Sequence, residues 1–120
     1  MKTHTRRAVA YIAGQIISQS GATSIYDYLE GRYFSIGGDV SSINISVYDY
    51  EMRCHISGSG DGANYSLYHF GNRKHISISF SEANFTGYDY DSSKHFSGNV
   101  NSNSIAIYDH DESKYFNYSV

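Results

Sequence analysis

The triplet Tyr-Asp-Tyr stands at Tyr26–Tyr28, Tyr48–Tyr50 and Tyr88–Tyr90, and Tyr68-His69-Phe70 and Tyr108-Asp109-His110 are variants of it. Its leading tyrosine recurs after 22, 20, 20 and 20 residues. A fixed period of this size marks one supersecondary unit copied along the chain, each copy too small to bury its apolar face alone. Eight positions after each leading tyrosine comes Phe34, Ile56, Ile76, Phe96 or Phe116. Counting back 22 from Tyr26 reaches His4, with Ile12 eight residues beyond, so the N-terminal stretch fits as a degenerate first copy. Six repeats, starting near residues 1, 23, 45, 65, 85 and 105, then fill the 120 residues as a single domain.

Each repeat reads as two short strands. With the leading tyrosine as position 0, apolar side chains fall at −3 and −1 and again at 8, 10 and 12, the period of two that a half-buried strand requires. Glu30-Gly31, Asn72-Arg73, Ser92-Ser93 and Glu112-Ser113 occupy positions 4 and 5. A two-residue turn there pairs position 3 with 6 and 2 with 7. That register sets Asp91 against Lys94 and Asp111 against Lys114, and opposes an aromatic or imidazole ring to another at positions 2 and 7 in the five copies from Tyr26 on. Ser81-Glu82-Ala83-Asn84, Asp61-Gly62-Ala63-Asn64 and Asn101-Ser102-Asn103-Ser104 are polar turns between repeats. The expected fold is all-β: six tandem hairpins of 20–22 residues in a meander of about twelve strands. Ala8–Ile17 could form a short helix instead, but its fit to the repeat register favours strand.

The face carrying positions −3, −1, 8, 10 and 12 holds large apolar residues, six glycines and two threonines, and no charge. It is the expected core. An open meander would leave two sheet edges exposed, so the hairpins are expected to close radially, as a β-flower or barrel-like ring, with a β-helix solenoid as the alternative. Segments such as Ile25-Tyr26-Asp27-Tyr28-Leu29-Glu30-Gly31-Arg32 and Tyr88-Asp89-Tyr90-Asp91-Ser92-Ser93-Lys94-His95-Phe96-Ser97-Gly98 resemble the hairpin repeats of the β-flower proteins. The resemblance implies hairpin petals around an apolar axis in a small, mostly bacterial protein whose function is largely unknown. The Tyr-Asp repeats of large secreted toxin shells look similar too, with Gly31-Arg32 after the turn. Neither resemblance implies catalytic residues.

The opposite face, at positions 0, 2 and 7, is aromatic or imidazole throughout except at Arg6. Tyr26, Tyr28, Tyr33, Tyr48, Tyr50, Tyr68, Phe70, Tyr88, Tyr90, Tyr108 and Tyr115 form the candidate binding face. Tyrosine suits surfaces with one dry and one wet side. The expected function is therefore a non-enzymatic binding or structural module acting through protein or self-association, with a glycan-binding module as the alternative. His55, His75 and His95 share position 7 and would bind a metal only if they converged on an axis, so no metal or other cofactor is expected. Asp27, Asp49, Asp89 and Asp109 precede turns, where a carboxylate caps backbone N–H groups, and His69 reads as a surface substitution in that series. No serine stands in a nucleophile-elbow context, which argues against hydrolytic chemistry.

Nine basic residues against 12 acidic ones, net −3, argue against a nucleic-acid partner. No apolar run approaches the length of a membrane helix, and strands this short disfavour a membrane barrel. Cys54, the single cysteine, is a small core residue or free thiol. The start, Met1 to Ile17, mimics a signal peptide, but Gln15 interrupts it and no small-x-small site follows, so a cytoplasmic address is favoured over export.

Overall fold

The computed structural model describes residues 1–120. One helix, α1 (Thr3–Ser18), precedes ten strands: β1 (Ser24–Asp27), β2 (Arg32–Val40), β3 (Asn44–Asp49), β4 (Cys54–Gly60), β5 (Asn64–His69), β6 (Lys74–Ser81), β7 (Asn84–Asp89), β8 (Lys94–Asn101), β9 (Ser104–Asp109) and β10 (Lys114–Ser119). Every strand pairs antiparallel with its sequence neighbours, and β1 pairs with β10 to close a barrel. The solenoid alternative does not hold. The closing seam is short, with only Tyr26 opposite Ser119 and Asp27 opposite Tyr118.

The first of the six expected repeats is not a hairpin. Residues 3–18 form α1, and every side chain from Thr5 to Gln15 is buried. A helix buried on all sides must be enclosed; α1 packs along the arc from β8 and β9 to β1 and β2, and across the barrel His4 and Thr5 hydrogen-bond Asn72 in the turn before β6. It occupies the barrel's lumen. Eight strands make a barrel that wall side chains alone can fill, and ten enclose a wider space. Ala8, Ala10, Ala13 and Gly14 give α1 the slim profile that fits there, and Gly14 lies close against Ile105 and Val120. The apolar positions assigned to strands in the first copy are thus faces of a helix. His4, Arg6 and Tyr11 leave the aromatic series and turn inward.

The five remaining repeats behave as expected in face, and differently in register. Val47 opposes Ile56, Tyr48 opposes His55 and Asp49 opposes Cys54, so position 0 pairs with 7 and 1 with 6. The turn therefore has four residues rather than two, and Asp91–Lys94 and Asp111–Lys114 are not cross-strand pairs. Two features stabilise the longer turn. The N–H at position 5 donates to the carbonyl at position 1, as from Ser93 to Asp89 at 2.8 Å and Arg73 to His69 at 2.8 Å. Position 5 then takes a left-handed backbone, as at Arg53, Arg73, Ser93 and Ser113. The difference in register is two residues, an even number, so every side chain keeps its face.

Ile25, Phe34, Ile36, Ile45, Val47, Ile56, Leu67, Ile76, Ile78, Phe85, Phe96 and Ile107 line the core as the alternation requires. Gly87 opposes Phe96, and Gly98 opposes Phe85. A Cβ at either glycine would strike the facing ring and a neighbouring carbonyl oxygen, so the glycines make room for the two phenylalanines.

Candidate functional site

On the outer wall near the turns, each hairpin gathers its residues at positions 0, 2 and 7 into one edge-to-face cluster. Tyr26 lies against Tyr28 and Tyr33, Tyr48 against Tyr50 and His55, Tyr68 against Phe70 and His75, Tyr88 against Tyr90 and His95, and Tyr108 against His110 and Tyr115. Centroids are 4.7–4.9 Å apart, the spacing at which a positive ring edge meets a negative ring face. The strand alternation that drives positions −1 and 8 inward sends positions 0 and 7 outward, and position 2 folds back over position 0 from the turn. The central ring is half-buried, while Tyr28, Tyr33, Tyr50, Phe70, Tyr90 and Tyr115 are 53–67% exposed.

The backbone links the hairpins that carry the clusters. Phe70, Tyr90 and His110 donate their backbone N–H to the carbonyls of His55, His75 and His95 on the preceding hairpin, at 3.0, 3.1 and 3.2 Å. The ring contacts themselves stay within each hairpin. Over β6, between Ser66 of β5 and Tyr90 beyond the end of β7, lies an outer groove of about 530 Å³ lined also by Arg73, Lys74, His75, Ile76 and Ser77. His55, His75 and His95 each lie against the tyrosine of their own hairpin, on the outside, and do not converge. No group of three His, Cys, Asp or Glu side chains in the protein is arranged to hold a metal ion.

The series at position 1 faces the other way. Asp27, Asp49, His69, Asp89 and Asp109 are fully buried, pointing at the N-terminal end of α1. Each caps its own turn: Asp27 Oδ1 accepts from the N–H groups of Leu29 and Glu30, Asp49 Oδ1 from Glu51 and Met52, and His69 Nδ1 from Asn72. At Asp27 and Asp109 the second carboxylate oxygen serves the helix. Arg7 donates to Asp27 Oδ2 at 3.3 Å and Arg6 to Asp109 Oδ2 at 2.8 Å, while the Met1 ammonium bridges Asp109 and Asp111 at 3.0 and 2.9 Å. The first turn of α1 contains no acidic residue to complement its partial positive charge, and the barrel supplies the acids instead. Asp49 Oδ2, Asp89 Oδ2 and His69 Nε2 have no hydrogen-bond partner.

The reading of His69 as a surface substitution is therefore wrong. Its ring is enclosed, 5.2 Å from that of His4. Burial lowers its pKa, and His4 adds to the effect against the opposing charges of Asp49 and Asp89. The unfolded chain then binds a proton near pH 6.5 that the folded one refuses. Stability from this site is complete above that pH and falls as the pH drops toward the folded value. Thermal melts across pH 5 to 7 should show this decline, and His69→Asn, which keeps a capping acceptor, should flatten it. Equal slopes in the two proteins would refute the assignment. Cys54 lies beside this collar as a buried free thiol whose pKa is raised by burial and by the charge of Asp49.

Sequence reasoning identified the belt but not the collar. The available signal was Arg6 itself, the only charged residue in an otherwise aromatic series. Comparisons with protein-family models, curated proteins and solved structures return no match for this chain.

Proposed function

We propose that the protein is a non-enzymatic binding or structural module whose aromatic belt docks a protein surface, a second copy of the chain first of all. The observation supporting this is that the belt is surplus to the core. The helix and the inward wall residues fill the barrel without it, yet five ring clusters stay exposed along one end. Clustered exposed aromatic rings favour an interaction surface, and aromatic residues are enriched at such surfaces. The recurring acids are engaged by turns and by α1, which favours a structural role for them over a catalytic one.

Sedimentation velocity over a concentration series is expected to show a dimer by about 100 μM, a weak association by the usual affinity scale. Tyr50→Ser with Tyr90→Ser should return it to monomer while the melt stays cooperative. A wild-type chain that remains monomeric at that concentration refutes self-association. The groove beside His75 and Tyr90, with serine hydroxyls under aromatic walls, supports a glycan as the second reading. Binding on a glycan array that the same double variant abolishes would decide for it. We also infer kinship with the β-flower proteins, on the strength of tandem Tyr-Asp hairpins closed around an axis, which here is a helix.

A further inference from the structure

At the end of the barrel away from the belt, the repeat pattern breaks. Thr23 stands where the other four hairpins carry Ile45, Tyr65, Phe85 and Ile105, while the two extra residues of β2 put Gly38 opposite Val47 and Val40 opposite Ile45, as Val100 is opposite Ile105. The first hairpin is also the one with a 22-residue period, and its β1 is only four residues long. Side-chain volume is missing there, and the result is a cavity of about 550 Å³ at the barrel mouth, between the last turn of α1 and β2. That volume lies within the range of small-molecule sites, which favour barrel mouths.

Three features of the cavity define its chemistry. Its lining is largely polar, with Gln15, Gln19, Thr23, Ser41 and Ser42 among its residues. Tyr11 donates to the carbonyl of Ala22, and Tyr65 to that of Ser42 at 3.0 Å, so both rims are braced by buried tyrosines. The electrostatics are one-sided. Asp39 is the only residue of the lining with a formal charge, and no lysine or arginine takes part. The carbonyl end of α1, which carries partial negative charge, closes one side, and its last turn contains no basic residue to offset it.

We propose that this cavity binds a small hydroxylated amine, of the amino-sugar or amino-alcohol class, with its ammonium toward the carbonyl end of α1 and its hydroxyls on the serine, threonine and glutamine side chains. The site is separate from the belt, and its fate does not depend on what the belt binds.

Isothermal titration of the full chain with glucosamine, N-acetylglucosamine and glucuronate tests this directly. Affinity should fall in that order, with the charged amine at least about tenfold ahead of the anion. Thr23→Phe restores the bulk found in the other hairpins and should abolish binding of all three without lowering the melting temperature. Gln19→Lys places a cation at the end of α1, and should weaken glucosamine while leaving N-acetylglucosamine unchanged. Tyr50→Ser with Tyr90→Ser should leave every affinity as it was. Absence of binding by all three probes overturns the proposal, as would a preference for glucuronate or undiminished binding by Thr23→Phe.

Discussion

Removal of residues 1–20 is expected to abolish the barrel rather than leave an empty one. Val9, Tyr11 and Ile12 are each at most 2% exposed in the lumen, and burying three such side chains contributes about 6 kcal/mol. Their loss would also open a cavity that neighbouring atoms cannot close, which costs more again. The charges fail with the packing. Asp27 and Asp109 would keep their burial but lose Arg7, Arg6 and the Met1 ammonium, and stripping the partner from a buried charge costs about 3–5 kcal/mol each time. The sum reaches the whole stability of an ordinary domain, about 5–15 kcal/mol. The truncated chain should show no cooperative melt by circular dichroism. Adding a synthetic peptide of residues 1–20 should restore one, because the hairpins keep every other contact. A cooperative transition without the peptide, close to that of the intact chain, would mean that α1 is not structural.

This dependence also explains which parts of the structure were legible in the sequence. Alternation along a strand is a local property, so Ile45, Val47 and Ile56 could be placed inward and Tyr48 and His55 outward before any turn was known. Turn length is a subtler property. The left-handed residue at position 5 is Gly31 in one hairpin and Arg53, Arg73, Ser93 or Ser113 in the others, so a glycine signals it in only one of five turns, and a register two residues off still leaves every face right. The lumen could not be read from the wall at all. A closed ring of five hairpins needs a filler that six hairpins would not supply, and the filler's Ile12 and Ile16 matched the repeat template by coincidence of spacing. The aspartate at position 1 was recognised as a turn cap through Oδ1, whereas its second role through Oδ2 requires a partner 20 or more residues away, as Arg7 is from Asp27. The cavity at the barrel mouth is legible only in retrospect, as the place where Thr23 departs from the repeat.

Arg6→Ala is expected to be the most damaging single substitution in the helix. The guanidinium donates to Asp109 Oδ2 at 2.8 Å, to the Met1 carbonyl at 3.1 Å and to the Tyr118 hydroxyl at 3.2 Å, and it stacks on the Phe116 ring at 3.4 Å. Burial raises the pKa of Tyr118 to about 12, so its hydroxyl stays neutral and accepts the Arg6 N–H. Truncation leaves Asp109 with the Met1 ammonium alone and should cost about 3–5 kcal/mol for the broken buried pair, plus about 2 kcal/mol for the desolvated cation–π contact. Arg6→Lys retains the charge but lacks the planar fork that serves three acceptors and a ring together, so it should fall between alanine and wild type. Lys2→Ala provides the control. Its pair with Asp91 at 3.3 Å is half-exposed on the lysine side, and such pairs are worth about 0–1 kcal/mol. Urea unfolding at constant m-value measures all three. A loss under about 1 kcal/mol for Arg6→Ala, on the scale of a surface pair, would show that the collar does not hold the helix. A loss several times that of Lys2→Ala would show that it does. Asp27 and Asp109 then have two duties, closing their turns through Oδ1 and gripping the helix through Oδ2.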